Sequence, residues 1–157
     1  MTDPLLNGSD AVFLLDDFDS LLTAEMQVIP PGHLEPIGTI TFAGPGHDQT
    51  IAQADRINRR TLQMAAAREQ ALTSGQTPKA TTETPEAIRQ RNVEFVADRI
   101  VDMSLMVRGA DGQPMKMAFS RDVAVALLAD RNKGWLFKAC LDFLERDTSF
   151  MRRSEPI

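Results

Sequence analysis

Thr84-Pro85-Glu86-Ala87-Ile88-Arg89-Gln90-Arg91-Asn92-Val93-Glu94-Phe95-Val96-Ala97-Asp98-Arg99-Ile100-Val101-Asp102 is the stretch on which the fold turns. Its start is unambiguous. Thr84 is an N-cap, Pro85 takes the first helical position, where a missing amide costs nothing, and Glu86 places a carboxylate in the first turn. Val93, Val96, Ala97, Ile100 and Val101 then recur at i, i+3, i+4, i+7 and i+8, with Arg91, Glu94, Asp98, Arg99 and Asp102 on the opposite face. That spacing predicts one amphipathic helix, packed by one side against a partner helix and ended by the turn Gly109-Ala110-Asp111-Gly112.

Downstream, Pro114 makes residues 113–119 an extended connection, because proline is rejected from a helix interior. Ser120, with Asp122 two residues later, caps a helix over 123–129, and Asn132-Lys133-Gly134 breaks the chain again. A last helix from near Trp135 places Leu136, Ala139, Cys140, Phe143 and Leu144 on one face. Trp135 is expected to close a core of Val96, Ile100, Leu127 and Leu136, with Phe150 packing the chain end back. Residues 84–157 thus read as a C-terminal three-helix unit.

Upstream, residues 76–83 are Thr, Pro, Lys, Ala, Gln and Glu, the composition of a flexible linker, and the main internal boundary is placed there. Residues 24–75 read as a strand pair plus a long helix. Strands at 25–29 and 37–42 flank the breaker Pro30-Pro31-Gly32, and Ala43-Gly44-Pro45-Gly46 turns the chain into a helix from about 49 to 72. His47-Asp48 is read as its cap. The helix's apolar stripe, Ala54, Ile57, Thr61, Met64 and Ala71, is narrow, so it is expected to project or to pack through one seam. Residues 1–23 form an acidic amphipathic segment, with Leu14, Phe18, Leu21 and Leu22 on one helical face and Asp16, Asp17 and Asp19 largely away from it. The expected fold class is therefore α+β, predominantly α: a small N-terminal strand pair, one long helix and the C-terminal three-helix unit.

Composition narrows the function. A net charge of −5 argues against a surface that tracks phosphates, and 6% aromatic residues leave little for stacking bases, so nucleic acid is not an expected partner. Cys140 is the only cysteine and cannot form an internal disulfide, and no run of about 18 apolar residues is present. Met1-Thr2-Asp3-Pro4 lacks the basic start of a secretory signal. These features point to a soluble, cytoplasmic protein with no membrane partner.

The chemistry-bearing residues do not assemble into a catalytic pattern. His33 and His47 have no second histidine or cysteine at metal-ligand spacing, so no metal is expected. Gly44-Pro45-Gly46 lies between a strand and a helix as a phosphate loop would, but no Gly-Lys-Ser/Thr follows and Asp48 would repel an anion, which leaves a tight turn. Cys140 sits on an apolar helix face and reads as a packing residue. No enzyme activity and no cofactor are expected. Arg56, Arg59 and Arg60 lie near one face of the long helix; they are either a solvated face or a docking surface for an acidic partner helix.

Two stretches in order carry a family likeness. Thr39-Ile40-Thr41-Phe42-Ala43-Gly44-Pro45-Gly46-His47 precedes a charged helix, and Asp111-Gly112-Gln113-Pro114-Met115-Lys116-Met117-Ala118-Phe119-Ser120 leads through Trp135-Leu136 to Asp147-Thr148-Ser149-Phe150. Over most of residues 37–150 the chain resembles tail assembly chaperones of long-tailed phages and prophages. Gly44, Pro45, Gly46, Asp111, Gly112, Ser120, Trp135 and Phe150 carry the motif. Met103-Ser104-Leu105-Met106 stands where such sequences often have an aromatic residue, and the segment before Leu22 has no counterpart.

The resemblance implies a non-enzymatic protein of the host cell cytoplasm that binds the phage tape measure protein, keeps it soluble and is displaced as the tail tube assembles. The tail tube protein and a second copy of the chain are further candidate partners. Met103, Met106, Met117 and Phe119, with Arg56, Arg59 and Arg60, are the candidate client contacts, since methionine surfaces adapt to apolar helical stripes. A structural tail or connector component of the virion is the alternative, and it would remain in purified particles.

Overall fold

Ala24, Met26 and Val28 are buried while Glu25 and Gln27 face solvent, the period-two pattern of a strand with one wet face. This is β1, Thr23–Val28, in a computed structural model that describes residues 12, 14–77 and 83–152. The chain returns as β2, Gly38–Ala43, antiparallel to β1 with Met26 opposite Ile40. There follow α1 (Asp48–Thr73), α2 (Pro85–Ala97), β3 (Ile100–Arg108), β4 (Pro114–Lys116), α3 (Arg121–Ala129) and α4 (Gly134–Glu145). Single 3-10 turns lie at Leu15–Phe18, Arg131–Lys133 and Asp147–Phe150. The sheet order is β1-β2-β3-β4, antiparallel throughout, in a mixed α/β fold that is 52% helical and 19% strand.

The helix expected to run past Val101 stops at Ala97, and residues 100–108 are a strand between β2 and β4. The stop is made by tertiary bonds. The Ala43 amide donates to the Arg99 carbonyl at 2.7 Å, and the Arg99 guanidinium donates back to the Ala43 carbonyl from Nε at 3.1 Å and Nη2 at 2.7 Å. Beyond this clamp burial alternates, with Met103 and Leu105 inward and Asp102 and Ser104 outward. A register shift at Thr41/Phe42 sets Thr41 opposite Asp102 and Phe42 opposite Ile100.

Three helices do follow residue 84 and pack on one another, yet they lie on a sheet that contains β3 and β4 and continues into β2 and β1. The sheet therefore crosses the boundary expected at 76–83. Residues 78–82 of that stretch, 1–11 and 13 of the N-terminal segment, and 153–157 lie outside the described residues. The connection expected at 113–119 contains β4, where Pro114 sits in an edge strand that can spare its amide. In the described part of the N-terminal segment, a 3-10 turn with no buried residue stands where the amphipathic helix was expected. Among the bonds there, the Asp17 carboxylate accepts from the Leu14 amide at 2.9 Å, the Asp17 amide donates to the Leu14 carbonyl at 3.0 Å, and the Leu21 amide donates to the Phe150 carbonyl at 2.6 Å.

Local signals set the remaining ends. His47, rather than Asp48, caps α1 by accepting the Gln49 amide on Nδ1 at 3.1 Å. Thr84 caps α2 and Ser120 caps α3, each through its hydroxyl. The core lies between the sheet and α2, α3 and α4. Phe42 is at its centre, stacked on Phe143 with ring centroids 5.3 Å apart, and Phe143 meets Phe150 edge to face at 5.6 Å. Val96, Ile100 and Leu136 are buried, whereas Trp135 and Leu127 are half-buried at the rim. No described helix is long and apolar enough to cross a membrane.

Candidate docking groove between the first two helices

On α1, Gln53, Ile57, Arg60 and Met64 follow at i, i+4, i+7 and i+11, so they share a face. That face lies along α2 in the opposite direction. Gln49 donates from Nε2 to the Asp98 and Ile100 carbonyls at 3.3 and 3.4 Å, and Gln53 donates to the Phe95 carbonyl at 2.8 Å. Gln53 is the buried residue of α1. Beyond it the helices are joined by ion pairs, Arg56 to Asp98 and Arg60 to Glu83, each at 3.6 Å.

Because long polar side chains span the helices, a groove of about 400 Å³ remains between them. Its apolar lining is Ile57, Met64 and Phe95, which stay 47%, 49% and 37% exposed. Two of the three carboxylates in its walls are each shared by two guanidiniums, Glu83 by Arg60 and Arg91 and Asp98 by Arg56 and Arg121, while the third, Glu94, accepts from the Gln90 side chain at 3.1 Å. Each such trio carries a net positive charge, which Glu94 in the same wall partly offsets. The bond to Asp98, 2.7 Å from Arg121 Nε, pushes the Arg121 pKa above its ordinary value. The lining holds no histidine, cysteine or serine. An apolar floor between charged walls is suited to holding the apolar stripe of an amphipathic segment.

The candidate contact residues are dispersed. Arg56 and Arg60 line the groove, and Arg59, one turn-step away, is exposed and does not. Phe119 lines an adjoining cavity of about 360 Å³ that shares Arg56 and Asp98 with the groove. Met117 is half-buried against the core. Met103 is 2% exposed, a core residue, because the strand that replaced the expected helix turns it inward. Met106 is exposed on the sheet's opposite face. The motif residues are structural here: Gly44 is buried where a Cβ would come 2.2 Å from the Leu21 carbonyl oxygen, Gly112 takes φ +79° in the β3–β4 turn, Asp111 accepts the Gln113 amide, and Phe150 is buried. Pro45 and Gly46 are exposed in the turn before α1.

Sequence reading missed Phe95, Asn92 and Glu83 as groove residues. The available signal was phase: Phe95 falls between Glu94 and Val96, off the buried stripe Val93, Val96 and Ala97, so it faces a different neighbour. Elsewhere, burial pushes the Cys140 thiol up to about 12. No family model, curated protein or solved structure matches the chain.

Proposed function

We propose that the protein is a non-enzymatic tail assembly chaperone of a long-tailed phage or prophage, which acts in the host cytoplasm by binding the tape measure protein while the tail tube is assembled. The observation that carries this reading is the α1–α2 groove, whose floor of Ile57, Met64 and Phe95 is left half-open although the chain has a well-filled core elsewhere. The resemblance carried by the ordered motifs between residues 37 and 150 points to the tape measure protein as the client. The groove offers a physical place for a helical stripe, read as apolar anchors against Ile57, Met64 and Phe95.

Co-expression with a tape measure protein of a long-tailed phage, followed by pull-down, tests the reading. The wild-type chain is expected to retain the tape measure protein. Ile57→Glu and Phe95→Glu, which place a charge in the groove floor, are expected to weaken capture by about 30-fold, the scale of an interface hot spot near 2 kcal/mol. Purified particles should lack the protein. Its presence there in stoichiometric amount would instead make it a structural tail or connector component.

A further inference from the structure

The two edges of the sheet are built differently. β4 is three residues long and contains Pro114 and Lys116, features that stop an edge from pairing with another strand. β1, at the other edge, has six residues, Thr-Ala-Glu-Met-Gln-Val, with no lysine, proline or bulge. Three bonds fix which of its backbone groups face outward. Gly44 donates to the Leu22 carbonyl and Ile37 to the Val28 carbonyl, so the even-numbered residues bond to β2, while the Leu21 amide points the other way, to Phe150. Thr23, Glu25, Gln27 and Ile29 therefore present their amides and carbonyls to the open side. Among the described residues, the chain end at Phe150 and Met151 is backbone-bonded to this side at Leu21 and bridges Ser20, and the turn before it packs beside the strand.

We infer that β1 is a self-association edge, at which a second copy of this chain adds its own β1 antiparallel to form a continuous eight-stranded sheet. Strand order and symmetry choose the register. A two-fold axis normal to the sheet keeps both helical layers on one face, so directly opposed residues must share a face, and the axis must pass through a residue of β1. An axis at Glu25 opposes two carboxylates and calls on Leu21, whose amide is already bonded. An axis at Gln27 retains only three outward pairs. An axis at Met26 gives four: Thr23 with Ile29, Glu25 with Gln27, and their two symmetry mates. It avoids like charges and brings the exposed Leu22 to Pro30 of the second copy. The occupant is thus a second copy of this chain, and the edge is separate from the α1–α2 groove.

Sedimentation velocity of the full chain over a concentration series tests this. A monomer–dimer equilibrium is expected. Gln27→Pro removes an outward amide that bonds to no described residue, so it should abolish the dimer while leaving the thermal melt of the monomer unchanged. Gln27→Lys sets an introduced ammonium opposite Glu25 on each side of the axis and should tighten the dimer by about 2- to 30-fold, and Gln27→Glu should loosen it by a comparable factor. A wild-type chain that stays monomeric throughout, or a Gln27→Pro chain that still dimerises, overturns the inference. Equal effects of the lysine and glutamate substitutions overturn the register.

Discussion

Arg99 fixes where helix gives way to strand, and it does so with atoms that no local pattern reports. Its carbonyl and guanidinium both bond to Ala43, and its guanidinium carbon stands 5.7 Å from the centroid of Phe150. Arg99→Ala leaves the Ala43 carbonyl with only the 3.5 Å bond from the Thr50 hydroxyl and should cost about 1.5–3 kcal/mol in a urea titration, with Arg99→Lys recovering only part because an ammonium cannot form the two-pronged bond. Phe42→Ala, at the centre of the core, should cost about 3–5 kcal/mol by the same measurement. Cys140 makes a pH prediction. Desolvation holds its folded-state pKa at about 12, above the ordinary thiol value of 9.0. The thiol's contribution to stability is therefore complete below about pH 9 and is lost as pH rises toward 12, where the unfolded chain sheds a proton that the folded chain keeps. The gap in melting temperature between the wild-type and Cys140→Ala chains should shrink over that window; a gap independent of pH would refute the assignment.

Among the elements, α1 has the least support. After Gln53 every residue to Gln70 is exposed, and the ion pairs to Asp98 and Glu83 reach no further than Arg60. Hydrogen exchange should accordingly be graded along this helix, slow near Gln53 and faster from Leu62 onward, whereas α4 should exchange as one slow block. Gln53→Ala should speed the whole helix, since it removes the bond to Phe95. Helix starts were legible in the sequence because caps are local: Thr84, Ser120 and the His47 turn sit beside the amides they serve. The strand pair was legible because Pro30-Pro31-Gly32 separates two β-rich runs. The α2–β3 junction was not, because Asp98-Arg99 contains no glycine or proline and Ile100 and Val101 continue the helical spacing. The contrary signal was the short alternation Asp102-Met103-Ser104-Leu105. The groove was half legible: Arg56 and Arg60 were singled out by charge, while Phe95 could be placed only once α2 had a neighbour.

At the scale of the molecule, the β2–β3 ladder joins into one sheet segments that lie on either side of the boundary expected at 76–83. Heat should unfold the chain in a single calorimetric transition with equal calorimetric and van't Hoff enthalpies, and residues 84–157 expressed alone should fail to fold, because Met103 and Leu105 would lose the strand beside them. Two separated transitions would count against this. A further consequence lies in the path between those strands. Ala43 and Arg99 are hydrogen-bonded neighbours, so the chain leaves the sheet and re-enters it at one doorway, with α1 and α2 as an excursion between. Closing a chain loop costs an entropy that grows only logarithmically, about 0.6 kcal/mol for each doubling. Extra residues spliced between Gly75 and Glu83 should therefore leave the melting temperature nearly unchanged, which makes that point a natural port for a reporter domain.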